Sequence, residues 1–181
     1  MLKTLVVPLP GADAGTTITL TELSALGADR AARVALAAIG EEPDGGVVAL
    51  ALQHLEAVRK LGRRGIDLLQ PFLGDVRTSP LKDWRSVRTL QNAALLLHVG
   101  FLSHRQPLEI PVRVQAAMLM RGGDAPRASF CSAQIAAVLL SGKASYRELE
   151  TVLSTEDVFN IVELLNVEAL RSILAAEKPK P

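Results

Sequence analysis

The histidines and the single cysteine of this chain are the residues whose types could bind a metal or act as nucleophiles. His54, His98 and His104 each lack a second ligand three or four residues away, the spacing that places two ligands on one helical face. His98 lies inside the apolar run NAALLLHVGFL, so we expect a core histidine whose ring nitrogens are hydrogen-bonded. We expect Cys131 to be a small apolar packing group. The sequence therefore predicts no metal and no cofactor.

The carboxylates offer no paired acid and base. The segment STED at 154–157 resembles an acid pair, but neighbours on a helix N-terminus do not converge on one point, and Ser154 with Asp157 has the spacing of a helix cap. Nucleotide-binding, serine-hydrolase and metalloprotease motifs are absent from the sequence. We therefore expect a protein that is not an enzyme.

The composition restricts the class of protein further. A chain of 181 residues with 20 basic and 19 acidic side chains has no overall field that would attract a nucleic acid or a membrane. One cysteine excludes an internal disulfide and fits a reducing cytoplasm. We expect no signal peptide and no membrane span. A hydrophobic fraction of 49% with 3% aromatic residues favours packed helices.

Local charge is less even than the total. Basic residues outnumber acidic ones between positions 59 and 88, and the basic patch in that stretch comprises Arg59, Lys60, Arg63, Arg64, Arg85 and Arg88. Such a patch either binds phosphates or is a solvated face. Residues 145–177 are acidic instead, so the two regions could attract each other within a chain or between copies.

The elements that position these residues begin with a strand over 2–9 and a returning strand over 16–20. We expect this β-hairpin to pack on helices or to accept a strand from another copy, because a lone hairpin is marginally stable. Thr19 and Glu22 have the capping-box spacing, which predicts a helix from Leu20 to Ile39 that Gly40 ends.

The remaining chain reads as helices separated by proline and glycine. We predict helices over 47–61, 80–101 capped by Ser79, and 112–120, with a loop at 71–80. Helices over 129–140 and 145–153 follow, and a last one starts at STED and bends at Asn166. The fold class is mainly α, a helical bundle with a small N-terminal β-hairpin. The predicted domains are a hairpin and helical domain over 1–121, a helical subdomain over 126–177, and a disordered tail at 178–181.

The block from Leu2 to Ile39, densest in GTTITLTELSAL, resembles the N-terminal region of the tail assembly chaperones of lambda-like long-tailed phages, the G-type product. The segment SYRELETVLSTEDVFNIVELLNVEAL is similar in style to the ends of other phage tail assembly proteins. The resemblance implies a phage or prophage protein of the host cell cytoplasm that is absent from the finished virion. Its implied partners are the tape measure protein, which it keeps soluble, and the tail tube protein, which it recruits.

A chaperone that keeps a long apolar helical protein soluble needs grooves lined by adaptable aliphatic side chains. The candidate partner-binding residues are Leu95, Leu96, Phe101, Met118, Leu119 and Met120, each of which has a packed core position as its alternative interpretation. Two other functions remain open. One is a nucleic-acid-associated regulator that uses the basic stretch 59–88, and the other is a structural tail component such as a completion or connector protein.

Overall fold

The computed structural model of this chain describes residues 2–61, 67–77, 80–112 and 128–176, with the side chains of 54–61 excepted. Two strands precede a series of helices, as the sequence predicted for a mainly α fold with an N-terminal hairpin. The strands are β1 (Thr4–Pro8) and β2 (Thr17–Thr21). The helices are α1 (Ala25–Ile39), α2 (Gly46–Leu61), α3 (Gln70–Leu73), α4 (Trp84–Val99), α5 (Ala133–Ser141), α6 (Tyr146–Thr151) and α7 (Thr155–Ala176).

The hairpin pairs β1 antiparallel with β2 in a register that sets Val6 opposite Thr19. Alternation places Val7 and Leu20 in the core and the threonines of β2 in solvent. The connecting 3₁₀ turn is tied to the start of α4, because the Asp13 carboxylate accepts hydrogen bonds of 3.0 Å from the backbone N–H groups of Lys82 and Asp83. The hairpin therefore rests on the helices.

The entry into α1 differs from the predicted capping box. Strand β2 continues through Thr21, because Thr19 pairs with Val6 in the sheet, and the helix begins at Ala25. Ser24 is the N-cap, and its hydroxyl accepts from the N–H of Gly27 at 3.3 Å. The end of α1 is as predicted, since Gly40 adopts the left-handed conformation with φ of 81°.

The segment between α2 and α4 also differs from the prediction. The predicted loop at 71–80 overlaps α3, whose Phe72 and Leu73 are buried. Helix α4 begins at Trp84, where the Asp83 carboxylate caps the N–H of Arg85 at 2.9 Å, so the helix starts later than Pro80. The predicted cap, Ser79, lies outside the described residues.

A first hydrophobic cluster joins the hairpin to the first four helices. The large side chains at its centre are fully buried, and small alanines of α1 allow close approach of α2. Its buried members include Val7, Leu20, Ala28, Ala32, Leu36, Leu50, Leu69, Phe72, Leu90 and Leu95.

A second cluster packs α5, α6 and α7 against the first turn of α1. Ala25 and Leu26 of α1 belong to it, and the N–H of Ala25 donates to the carbonyl of Leu153 at 2.7 Å. The predicted division at 121–126, the predicted helix over 112–120 after its first residue, and the tail at 178–181 lie outside the described residues. The domain division therefore stays a prediction.

Two capping boxes organise the C-terminal helices. Ser154 and Asp157 form the predicted cap, with the N–H of Ser154 donating to Asp157 at 2.8 Å and the N–H of Asp157 donating to the Ser154 hydroxyl at 3.2 Å. Ser145 and Glu148 form a second capping box at the start of α6. Helix α7 runs without interruption from Thr155 to Ala176, so the helix continues through Asn166, where the sequence predicted a bend.

Candidate partner-binding surface

The predicted apolar surface is only partly accessible. Leu95 is 3% exposed and lies in the first hydrophobic cluster, so it belongs to the core and not to a surface. Leu96, one position along α4, points outward and is 62% exposed. This split follows from helical geometry, since adjacent residues lie about 100° apart. Met118, Leu119 and Met120 lie outside the described residues.

Phe101 is engaged inside the molecule. Its ring lies 5.4 Å from that of Phe159 at an interplanar angle of 63°. The guanidinium of Arg105 lies 6.0 Å from both rings, donates to the carbonyl of Phe159 and forms an ion pair with Glu163. Phe101 therefore joins the 3₁₀ turn after α4 to α7, and its half-buried ring offers little area to a partner.

Helix α7 supplies an apolar surface that the sequence analysis did not assign. Its buried residues are Thr155 and Val158, and Ile161 and Val162 pack on the second cluster. Within the part of the chain that the structure describes, none of the apolar residues further along α7 joins either cluster. These residues are Leu164, Leu165, Val167, Leu170, Ile173 and Leu174.

Each of α5 and α7 carries an exposed leucine. Leu164 of α7 is 61% exposed and Leu140 of α5 is 88% exposed. The two helices pack against each other through Ile135, Val138 and Val158. Isolated exposed leucines are common, but here they accompany a helix whose distal half carries apolar residues beyond the core. We call Leu140, Leu164 and the distal half of α7 the α5–α7 surface.

The basic patch is described only at Arg85 and Arg88. Both are exposed on α4, beside Trp84 with its 48% exposure. Among the described residues, neither guanidinium has an acidic partner. Arg59 and Lys60 lie on α2 with side chains outside the described part, and Arg63 and Arg64 fall in the gap 62–66.

The acidic C-terminal region is paired with other parts of the chain. Glu150 forms an ion pair with Arg30 at 2.9 Å, and Glu168 forms one with Lys143 at 2.9 Å. Glu156 forms an ion pair with Lys3, and Glu163 forms one with Arg105. In the described ranges, none of these cations comes from the stretch 59–88. The attraction expected between the two regions is therefore not seen there, and these exposed pairs contribute little stability each.

His98 is the core histidine that the sequence predicted. It is fully buried, its Nδ1 lies 2.7 Å from the carbonyl of Ala94, and its Nε2 accepts from the N–H of Leu23 at 2.9 Å. An Nε2 that accepts must be unprotonated, so the Nδ1–H tautomer of the neutral ring fits both bonds. Burial lowers the pKa of His98, and the charge of Lys3 adds to this. His98 therefore joins α4 to the entry of α1.

Glu22 is a buried carboxylate at the end of the hairpin. It is 2% exposed, and its Oε2 accepts from the backbone N–H of Lys3 at 3.1 Å. Its Oε1 has no hydrogen-bond partner in the described structure. Burial raises the pKa of Glu22, the contacts with Lys3 oppose that rise, and the charges of Asp157 and Glu156 add to it. Burial therefore destabilises the ionised form of Glu22 at neutral pH.

We expect Glu22→Gln to raise the free energy of unfolding by about 1 kcal/mol at pH 7, because a buried carboxylate loses hydration that one backbone hydrogen bond does not replace. A raised pKa in the folded state favours folding at low pH, so the advantage of the variant should disappear below the ordinary value of 4.5. Urea unfolding between pH 4 and 8 measures it. The control Glu168→Gln changes an exposed carboxylate and should stay within about 0.5 kcal/mol of the parent. A variant that is less stable at every pH would contradict this reading.

Asp29 is the second buried carboxylate, and it ties α1 to the start of α5. Its Oδ2 accepts from the backbone N–H of Ser132, the N-cap of α5, at 3.1 Å. Burial raises the pKa of Asp29, while hydrogen bonds from Ser132 lower it. Gly46 lies against it at φ of 54°, where a Cβ would come within 2.9 Å of Oδ1. Asp29 therefore has a structural role.

A cavity beside Asp29 is too small for a cofactor. It measures about 30 Å³ and lies between α1, the start of α2, α5 and α7. That volume suits one or two water molecules near the Thr155 hydroxyl, which has no partner among the described residues. The described part of the chain contains no group of three histidine, cysteine or carboxylate side chains placed to hold a metal. Cys131 is buried in the second cluster, which raises the pKa of its thiol.

None of the described helices combines the length and the hydropathy needed to cross a bilayer. No protein-family profile, curated protein or solved structure matches this chain. The surfaces described above are therefore the basis for any assignment of function.

Proposed function

We propose that this protein is a phage tail assembly chaperone that binds the apolar helices of a tape measure protein and recruits tail tube subunits. It acts without catalysis in the cytoplasm of the host cell. The binding site in this proposal is the α5–α7 surface, and not the region around Leu95 that the sequence suggested.

The observation that carries this proposal is the distal half of α7. Among the described residues of this 22-residue helix, two are buried, Thr155 and Val158. Of its leucine, isoleucine and valine residues beyond Val162, Leu164 is exposed and the others are half-buried, and none of them joins either described cluster. Its aliphatic side chains recur at helical spacing, and a helix of this kind binds another amphipathic helix by burying the shared apolar face. Recognition of that kind tolerates many partner sequences, as a long rod protein requires.

The test separates a chaperone from a structural tail component. We expect the protein to co-purify with the tape measure protein from lysates in which tails are assembling, and to be absent from purified particles by mass spectrometry. A stoichiometric amount in finished particles would instead support a completion or connector protein.

A second candidate is a nucleic-acid-associated regulator, which the exposed Trp84, Arg85 and Arg88 favour. If phosphate contacts dominate, the affinity for duplex DNA should fall by roughly tenfold or more between 50 and 200 mM salt. Fluorescence anisotropy with the parent and with an Arg85→Ala and Arg88→Ala double variant measures this. Our proposal predicts weak DNA binding that the double variant barely changes. Tight, salt-sensitive binding that the double variant abolishes would support the regulator.

A further inference from the structure

The hairpin has two outer edges, and the hydrogen-bond pattern shows which backbone groups face outward. The N–H of Leu9 donates to Thr16 at 2.9 Å, and the N–H of Glu22 donates to Lys3 at 2.8 Å. Bonded and non-bonded pairs alternate along an antiparallel ladder. The pairs whose N–H and C=O groups point away from the hairpin are therefore Thr4 with Thr21, Val6 with Thr19, and Pro8 with Thr17.

The two edges are not equally available for pairing with a further strand. On β1, Pro8 has no N–H to donate to a further strand, and α4 contacts this strand. On β2, the outward groups belong to Thr17, Thr19 and Thr21, and no described residue hydrogen-bonds to their backbone. Edge strands are commonly protected by lysine, proline or a bulge, and β2 has none of these.

We propose that β2 pairs antiparallel with β2 of a second copy of this chain, about a two-fold axis at Thr19. In this register Thr19 lies opposite Thr19 of the second copy, and Thr17 lies opposite Thr21 of the second copy. All of these residues carry outward-facing N–H and C=O groups, so each opposed pair exchanges two hydrogen bonds. The strand is thus its own complement, as a two-fold interface requires.

The same register satisfies the two faces of the sheet. Ile18 lies opposite Leu20 of the second copy on the face that packs against the core, while threonines pair on the exposed face. From Ala14 to Thr21 the chain carries no charge, so no like charges oppose each other. The product is a four-stranded sheet in place of a two-stranded one, in which each β2 gains a second neighbouring strand.

Sedimentation velocity of the full chain over a range of concentrations tests this proposal. We expect a monomer and dimer equilibrium, which Thr19→Pro should weaken by roughly tenfold or more because it removes a donor from each copy. The matched control is Val6→Pro, which places proline at the position opposite Thr19 but on the edge of β1. It should dimerise within about twofold of the parent.

A charge swap tests the register and does not depend on proline. Thr19→Lys and Thr19→Glu should each be monomeric alone, since the axis opposes two like charges, and should form a mixed dimer when combined. A parent chain that stays monomeric at every concentration would overturn the proposal. So would a Thr19→Lys variant that dimerises as well as the parent, or two charged variants that stay monomeric when mixed.

Discussion

His98→Ala is expected to lower the free energy of unfolding by about 3 kcal/mol at pH 7.5. The substitution leaves the Leu23 N–H without its acceptor, removes the bond to Ala94 and opens a cavity beside Phe72. The Phe72 ring packs edge-on against the imidazole at 5.2 Å, so that contact is lost as well. Urea unfolding followed by circular dichroism measures the effect.

The pH dependence distinguishes a neutral histidine from a generic core residue. A lowered pKa in the folded state means that His98 stabilises the protein fully above its ordinary value of 6.5, and loses that contribution as the pH falls toward the folded value. The gap between the parent and His98→Ala should therefore narrow below pH 6.5. The exposed His104 provides the control, since His104→Ala should stay within about 0.5 kcal/mol. A constant gap from pH 8 to 5 would contradict the lowered pKa of His98.

The second large effect concerns partner binding by the α5–α7 surface. We expect the double variant Leu140→Glu and Leu164→Glu to weaken the affinity for a tape measure protein by roughly tenfold or more, because charge at two exposed leucines opposes burial of the interface. Both side chains are mostly exposed, so the free energy of unfolding should change by less than about 1 kcal/mol. Pull-down with purified tape measure fragments measures the affinity.

Leu52→Glu is the matched control for that experiment. Leu52 is an 80% exposed leucine on α2, outside the α5–α7 surface, and the same change of charge there should leave binding within about twofold. Equal losses from Leu52→Glu and from the double variant would mean that general charge, and not this surface, controls the interaction.

Much of the fold could be predicted from sequence periodicity. The switch from alternation to helical spacing located the hairpin and α1, and the capping pair Ser154 and Asp157 located the start of α7. The predicted start of α1 was wrong because a capping-box spacing also occurs within a strand, and Thr19 lies opposite Val6 in the hairpin. A local sequence pattern does not show that Val6 will lie opposite Thr19.

The two buried carboxylates, Asp29 and Glu22, were not identified from the sequence. Asp29 lies on the same stripe of α1 as Ala25, Ala32 and Leu36, so helical spacing alone could have identified it as a charged residue on a buried face. Its partner, Ser132, is remote in sequence and carries no such signal. Glu22 had a plausible local role as a cap, which concealed its burial.

The burial of Leu95 was missed for a related reason. Helix α4 is apolar over most of its circumference near Leu95. Such a pattern is expected both for a helix buried in the core and for a helix that binds a partner. The apolar pattern along α7 was visible in the sequence, but only the contacts of the folded chain show that its distal half lies beyond both described clusters.

The most direct test of the account is the solubility of a tape measure protein co-expressed with this chain. We expect the soluble fraction to rise several-fold when the parent chain is present, and to stay near the level without it when the Leu140→Glu and Leu164→Glu variant replaces the parent. If the tape measure protein were equally soluble with and without this chain, the result would contradict the proposal that this chain binds a partner through an apolar helical surface.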